Sequence, residues 1–464
     1  MLSQADNEMI TGTNRGTPMG ELFRRFWLPV ALSSELPGPD SLPLRVRIMG
    51  EDLIAFRDTD GRVGLVDAYC PHRGAPMFFG RNEENGLRCV YHGWKFDVDG
   101  VCTDLPNAPE GETFRQKIQI KRYPCEDVGD VIWAYMGPAN RKPPLPDFEW
   151  MKLPKSHRYM TKFRMECNWL QAQEGDSDPS HGRFLHSTLA QKTEADSGSV
   201  RGRHEGNYGL AGPIDENEPF PRVVGNRRKS ALRQHPSITG EVLEDEGAAT
   251  LSIYVKDTDD GQKNATVRVG WYFPIFTTPG IVVRPTHYGC NMRVPIDDAN
   301  MWFFRLRWSW EPISEDDINE YKNGGYTHPE LIPGTWQTVL NVHNDYGVDR
   351  VAQRDFSYTG IKTFPMQDIA MMENQWGPIA DRTQEHLTSL DFAIIYRRRR
   401  LLKMAKALLA GVEPTEPWAT ESFHLHGASA TAATADEAIA QVKALATRPL
   451  LPEKLPQPVT VMTS

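Results

Sequence analysis

The chain has 464 residues, 39% of them hydrophobic and 24% charged, a composition of a water-facing globular protein too long for one compact core. Its 52 basic and 61 acidic residues leave a formal net charge of −9, so no basic field invites nucleic acid or anionic lipid. No run approaches the ~18 apolar residues of a membrane span, the N-terminus lacks a secretory pattern, and 6 scattered cysteines form no disulfide framework; a reduced, cytoplasmic protein is expected.

In chain order, residues 1–27 turn amphipathic around Leu22, Phe23, Phe26 and Trp27. They read as one short helix that leads into a strand and packs on a later domain. From 28 to 150, short apolar runs are divided by Gly, Asp, Asn and Pro: Leu44 to Ile48, Leu53 to Arg57, Val63 to Val66, Leu87 to Val90, Lys95 to Val98 and Val131 to Tyr135. That spacing predicts a small all-β domain. Pro-rich Lys142-Pro143-Pro144-Leu145-Pro146 closes it. A helix carrying Asp178, His181 and His186 follows, and then a long polar stretch, 190–245, of the kind that is usually functional or mobile. Alternation returns from Ala248 to Pro312, with Leu251, Ile253 and Val255 and later Trp302, Phe304, Leu306 and Trp308 predicting antiparallel strands with one wet face. Helical signals run from Glu315 to Ala410 and end in a long helix over Asp381 to Leu409, stopped by Gly411. Beyond it only a short amphipathic helix near Ala435 to Ala446 stands out, and the tail is expected to be peripheral or disordered. The domains expected are therefore 28–150, 151–412 and a partly disordered extension at 413–464, with 1–27 packed on the second.

Two loops of the β domain carry chemistry. Cys70-Pro71-His72-Arg73-Gly74 and Cys89-Val90-Tyr91-His92-Gly93-Trp94 each supply one cysteine and one histidine. Cys70, His72, Cys89 and His92 are the ligand set of a Rieske 2Fe-2S cluster, in which two thiolates hold one iron and two neutral imidazoles the other. A zinc module would pair its cysteines closely and its histidines separately, which these loops do not. Cys102, Cys125, Cys167 and Cys290 have no partner at ligand spacing and read as small buried hydrophobes.

A second constellation is Asp178-Pro179-Ser180-His181-Gly182-Arg183-Phe184-Leu185-His186. Two imidazoles and a carboxylate are the donors of a non-haem Fe(II) site with positions open to oxygen. At about 100° per residue, His181 and His186 diverge by about 140° on a regular helix. Both reach one metal only if that helix is broken or widened, for which Gly182 and a fresh start at Pro179 are suited. Asp345, Asp349, Asp355, Asp368, Asp381 and Asp391 are all candidates for the carboxylate.

Together, Cys-Pro-His-Arg-Gly, Cys-Val-Tyr-His-Gly-Trp-Lys-Phe-Asp, Asn168-Trp169 and Asp-x-x-His-x4-His make the chain, from about 25 to 410, resemble the oxygenase α subunits of Rieske non-haem iron oxygenases. Gln375-Trp376-Gly377-Pro378 through Glu385-His386-Leu387 is similar to the phthalate dioxygenase branch. The chain departs from that branch at Thr388-Ser389-Leu390-Asp391 and in its long tail.

The resemblance implies an α+β fold, with the small all-β Rieske domain followed by a helix-grip catalytic domain whose antiparallel sheet wraps a long helix. It selects Asp368, followed five residues on by Glu373, as third ligand of a mononuclear Fe(II) held with His181 and His186. It makes Asp178 an electron relay meeting a Rieske histidine of a neighbouring subunit in a homotrimer or homohexamer; Asn168 and Glu174 are either close to the metal or merely capping and packing. It also implies O2 and a small aromatic acid as substrates, with Arg201, Arg203 or Arg222 available to clamp a carboxylate. No Gly-x-Gly-x-x-Gly fingerprint occurs, so a separate NAD(P)H-dependent flavin or iron–sulfur reductase is expected to supply electrons. Arg397 to Arg400 could dock that reductase, although such a run more often pairs with nearby acids. O-demethylation of a lignin-derived methoxylated acid is the alternative reaction, and a Rieske electron carrier without oxygenase activity is the alternative of another class.

Overall fold

The computed structural model describes residues 1–109, 113–178, 181–186, 238–258, 261–273, 276–277, 287–325, 328–355, 357–425 and 427–447. Arg201, Arg203, Arg222 and Pro179 lie outside the described residues, as do the stretch 190–237 and the end of the tail.

The N-terminus forms two short helices, α1 (Gln4–Thr11) and α2 (Pro18–Phe23), where one was expected. Asp298 explains the break. Its Oδ1 accepts the backbone N–H groups of Thr13 and Asn14 at 2.7 and 3.2 Å, which a continuous helix would have used internally. The β region then contains β1 (Trp27–Leu32), β2 (Leu44–Ile48), β3 (Glu51–Arg57), β4 (Val63–Asp67), β5 (Arg81–Glu83), β6 (Gly86–Arg88), β7 (Lys95–Phe96), β8 (Cys102–Asp104), β9 (Arg122–Tyr123), β10 (Cys125–Val128) and β11 (Val131–Tyr135). They pair as three antiparallel sheets, β1-β11-β10, β2-β3-β4-β9 and β5-β6-β7-β8.

The remaining elements are β12 (Arg158–Met165), α3 (Trp169–Gly175), α4 (Gly182–Leu185), β13 (Ile238–Glu246), β14 (Ala249–Asp257), β15 (Lys263–Tyr272), β16 (Phe276–Thr277), β17 (His287–Asp297), β18 (Asn300–Ser309), α5 (Glu315–Tyr321), α6 (Arg350–Asp355), α7 (Phe364–Met372), α8 (Phe392–Leu409), β19 (Ala428–Ala432) and α9 (Ala435–Ala446). Among the described residues they build one antiparallel sheet in the order β12-β18-β17-β16-β15-β14-β13, with β19 paired to β15. One apolar core joins α2, β1 and β11 to the side of this sheet that carries Cys290, Met292, Val294, Phe304 and Leu306. Against the opposite side, Phe163, Met165 and Phe303 pack with Met366, Ile369 and Ala370 of α7.

Two expectations change. The polar side of β17 and β18 is not wet: Arg293 is 1% and Arg307 6% exposed, with α7 packed over the Phe303 end and Tyr321 of α5 beside Arg307. The long helix begins at Phe392 rather than Asp381. Asp391 caps a turn by accepting the Thr388 N–H at 2.6 Å, and 381–391 runs as a loop that delivers Arg382 and Glu385 inward. The extension is packed as far as 446, and the Pro-rich tail beyond it lies outside the described residues. β19 pairs with Lys263 to Val267 of β15, covering an edge that would stand open to solvent, and α9 buries Ala438, Val442 and Ala446. Among the described residues no helix is long and apolar enough to cross a membrane.

Candidate metal centres

The two cysteine–histidine loops fold alike. In each, the cysteine N–H donates to the carbonyl five residues on, Cys70 to Ala75 and Cys89 to Trp94, both at 2.8 Å. Each cysteine carbonyl also accepts the glycine N–H four residues on, from Gly74 and Gly93, both at 2.9 Å. The glycines close these turns at φ +70° and +79°, a region costly for other residues. At Gly93 a Cβ would also stand 2.5 Å from Pro106 Cγ. Both cysteines are 2% exposed, and the His72 and His92 rings lie 4.5 Å apart. Trp94 stacks on His72 at 4.2 Å.

The donors suit a cluster. Burial, followed by the His92 and Arg73 charges, holds His72 below the ordinary imidazole value, favouring the neutral ring a ligand needs. Its Nδ1 is buried without a hydrogen-bond partner. Burial pushes the Cys70 thiol up to about 11, with Cys89 adding to the effect, so a thiolate there calls for a cation.

The second site is assembled by α3, α4 and α7. α3 begins at Asn168, whose Oδ1 accepts the Leu170 N–H at 3.1 Å and whose Nδ2 donates to Thr11 and Asp298 carbonyls. Asn168 is thus a cap. Gly175 faces Met372 of α7, whose Cε lies 2.0 Å from where a Cβ would stand. Gln171 ties the two segments, donating to the Met372 carbonyl at 2.6 Å and accepting from Ala380 N–H at 2.8 Å. Glu174 is buried between Arg382 and Arg398, at 2.9 and 2.5 Å. Burial alone would raise its pKa, but these two guanidinium groups outweigh it and hold the carboxyl below its usual range. Arg398 also pairs with Glu385 and Arg400 with Asp245, so these residues of the basic run serve internal ion pairs.

The helix between the histidines is neither widened nor bent at Gly182. It is a single turn, Gly182–Leu185, with His181 at its start (φ −59°, ψ −37°) and His186 leaving it (φ −99°, ψ 13°). Asp178 Oδ1 accepts the His181 backbone N–H at 3.3 Å.

His181 Nδ1 lies 3.0 Å from the Asp178 carbonyl, and His186 Nδ1 2.8 Å from Gln367 Oε1. Those oxygens only accept, so the tautomer they select in a neutral ring has its proton on Nδ1 and its lone pair on Nε2. Gln367 is itself held by donating to Ile361 O at 2.9 Å. Asp368 Oδ1 stands 3.1 Å from His186 Nε2 and 3.6 Å from His181 Nε2. Ligands about 2.1 Å from a metal and at right angles stand about 3 Å apart. Among the described residues, this is the group of His, Cys, Asp and Glu whose ligand atoms, all within 4.8 Å, suit a single ion. His186 Nε2 and Asp368 Oδ1 are buried without hydrogen-bond partners, which is how a metal's ligands stand when only protein is counted. The side chains of His181 and Asp368 are 31% and 21% exposed, so the site is open on one side.

Three of the other acids are occupied locally: Asp349 accepts the N–H groups of Val351 and Ala352, Asp381 those of Thr383 and Gln384, and Asp391 that of Thr388. Sequence reasoning missed Gln367, although it immediately precedes Asp368. It also missed the buried arginines of β17 and β18, whose alternation reads as a solvated face.

An all-β domain with paired cysteine–histidine loops, joined to an antiparallel sheet with a two-histidine, one-carboxylate group, defines a class of oxygen-using iron enzymes. Comparison with known proteins agrees. The Rieske [2Fe-2S] domain model matches residues 26–124, and the model described as LigXa C-terminal domain like matches 256–426. The phthalate 4,5-dioxygenase oxygenase subunit of Pseudomonas putida is 34% identical over 89% of this chain and 88% of its own. The 5,5'-dehydrodivanillate O-demethylase oxygenase subunit of Sphingobium sp. is 31% identical over 89% and 83%. The crystal structure of dicamba monooxygenase bound to dicamba shares the fold, with a TM-score of 0.53 at 16% identity over 84% of this chain and 99% of that one.

The chain belongs to the Rieske non-haem iron oxygenases, in the group of phthalate dioxygenase-like oxygenase subunits. It is the terminal oxygenase component of such a system, and it carries a Rieske 2Fe-2S domain.

Proposed function

We propose that this oxygenase subunit hydroxylates an aromatic carboxylic acid with O2, and that His181, His186 and Asp368 hold its mononuclear Fe(II). The observation that carries the reading is the convergence of two Nε2 lone pairs on Asp368 Oδ1, at 3.1 and 3.6 Å, with His186 Nε2 and Asp368 Oδ1 buried and unpartnered. Fe(II) in such a site supplies oxygen activation when bound. The chain's own part is to fix tautomers through Asp178 and Gln367 and to keep one side open for substrate.

Cys70, His72, Cys89 and His92 hold the 2Fe-2S cluster, which stores one electron. A separate NAD(P)H-dependent reductase supplies it. Asp178 relays between a Rieske histidine of a neighbouring subunit and His181 in a cytoplasmic homotrimer or homohexamer. Its carboxylate is suited to that by standing 27% exposed beside His181.

The test is to reduce the purified protein under argon, then add labelled O2 with phthalate and with methoxylated aromatic acids. A product carrying both labelled atoms supports ring dihydroxylation. Formaldehyde with a phenol supports O-demethylation, the second reading, favoured by the 31% identity to a demethylase subunit. His181→Ala and Asp368→Ala are expected to keep a reducible cluster, lose iron and form no product. Full product yield from either variant would overturn the assignment of the triad, and cluster oxidation by O2 without any product would favour a carrier.

A further inference from the structure

Pairing of β17 with β18 sets Arg293 opposite Phe303, Asn291 opposite Arg305 and Gly289 opposite Arg307. β12 extends the same rows with Phe163, Thr161 and Tyr159. Directly paired residues share a face. That face is the one under α7, because Phe163 and Phe303 pack with Met366 and Ile369, and Arg293 pairs with Asp176 ahead of the first histidine. The second and third rows lie about 7 and about 14 Å further along the strands. Asp368 still acts electrostatically on Arg305 in the second row.

The outer rows are rich in unsatisfied polar atoms. Arg307 is 6% exposed. One Nη1–H donates to the adjoining Leu306 carbonyl at 3.0 Å, and the guanidinium stands 5.6 Å from the Tyr321 ring centre. Its Nε has no hydrogen-bond partner, and among the described residues no carboxylate lies within ion-pair reach of it. Thr161 Oγ1 and Asn291 Oδ1, buried in the row between, lack partners as well. Burial holds both guanidinium groups below the usual arginine value, and for Arg305 the Arg307 charge is the next cause. For Arg307, on which Asp176 acts only from a distance, a buried cation with no carboxylate in contact is unfavourable. Such a group persists where an arriving anion pairs with it, and guanidinium presents parallel N–H donors suited to a carboxylate. Gly289 makes room for it, since a Cβ there would stand 2.4 Å from Arg307 Nη1.

We propose that Arg307, with Arg305 beside it, is the anchor for the substrate's carboxylate, from which the aromatic ring extends back along the strands toward Asp368. The anchor rests on the aromatic-acid reading above and assigns that acid its recognition residue.

The test is equilibrium calorimetry on the holoprotein under argon with phthalate, 3-chlorobenzoate and vanillate, each against its neutral amide. The wild-type protein is expected to prefer at least one acid. Arg307→Gln is expected to weaken that acid at least about 30-fold while leaving the amide unchanged. Gly289→Ala, which keeps the charge but displaces it, is expected to erode the same preference and decides the matter should Arg307→Gln fail to retain its cluster. Acid preference surviving both substitutions, or acid and amide weakening together, overturns the anchor and leaves the aromatic-acid reading standing. A wild-type protein that prefers no acid to its amide overturns both.

Discussion

Replacing Glu174 by alanine probes the polar network behind the proposed iron triad. The carboxylate stands between Arg382, whose side chain is fully buried, and Arg398, 4% exposed. Removing one partner of a buried ion pair costs about 3–5 kcal/mol, because it strands the other charge. Arg398 keeps Glu385, at 2.9 Å through Nη2, whereas among the described residues Arg382 keeps only Asn7 Oδ1 and the Ala380 carbonyl, both at 3.3 Å. The loss is therefore expected near about 4 kcal/mol, a large part of a typical folding stability of about 5–15 kcal/mol. At about 2–4 °C per kcal/mol, the apparent melting midpoint falls by about 8–16 °C.

The effect depends on pH. Glu174 has a depressed pKa in the folded protein, so its contribution is present above the unfolded value of about 4.3 and is lost as pH falls through the lower folded value. Denaturant unfolding followed by circular dichroism, at pH 7 and below pH 4, measures both. A deficit under about 1 kcal/mol at pH 7, or one that does not shrink in acid, would refute the reasoning.

Two further outcomes follow from the metal-site geometry. Gln367→Leu removes the acceptor that fixes the His186 tautomer, at 2.8 Å, and is expected to lower iron affinity about 10–100-fold with the cluster spectrum unchanged; equal iron retention in a chelator titration would count against it. Gly93→Ala places a Cβ at a φ of +79° and 2.5 Å from Pro106. It is expected to lose the cluster, read as acid-labile sulfide per chain, while iron at the triad remains; a full complement of sulfide would contradict the turn argument.

Much of this protein was legible because its chemistry is local. Each Rieske half-site lies on one turn of the chain, where a cysteine, a histidine and a glycine at fixed spacing declare themselves without knowledge of the fold. The same holds for β2 and β11, whose apolar runs match the observed strands end to end, and for α9, bounded by Thr434 and its capping box. His181 and His186 could be paired by eye, but the carboxylate that faces both, Asp368, lies on a helix far along the chain. Nothing local distinguishes Asp368 from its neighbouring acids, and a family resemblance was needed to select it.

Tertiary structure decided the rest, for one physical reason: period-two alternation tells which residues share a face of a strand, not what lies over that face. Arg293, Asn291, Arg305 and Arg307 pattern as a wet surface, yet Arg293 and Arg307 are buried, with α7 packed over one end of the face and Tyr321 of α5 beside the other. Glu174 likewise becomes an ion-pair hub only because the loop at 381–391 brings Arg382 back against α3 and α8 supplies Arg398. The sequence by itself marked two sets of candidate metal donors on their turns. Only the packing of distant segments set Asp368 against His181 and His186 and decided which charges are left buried nearby.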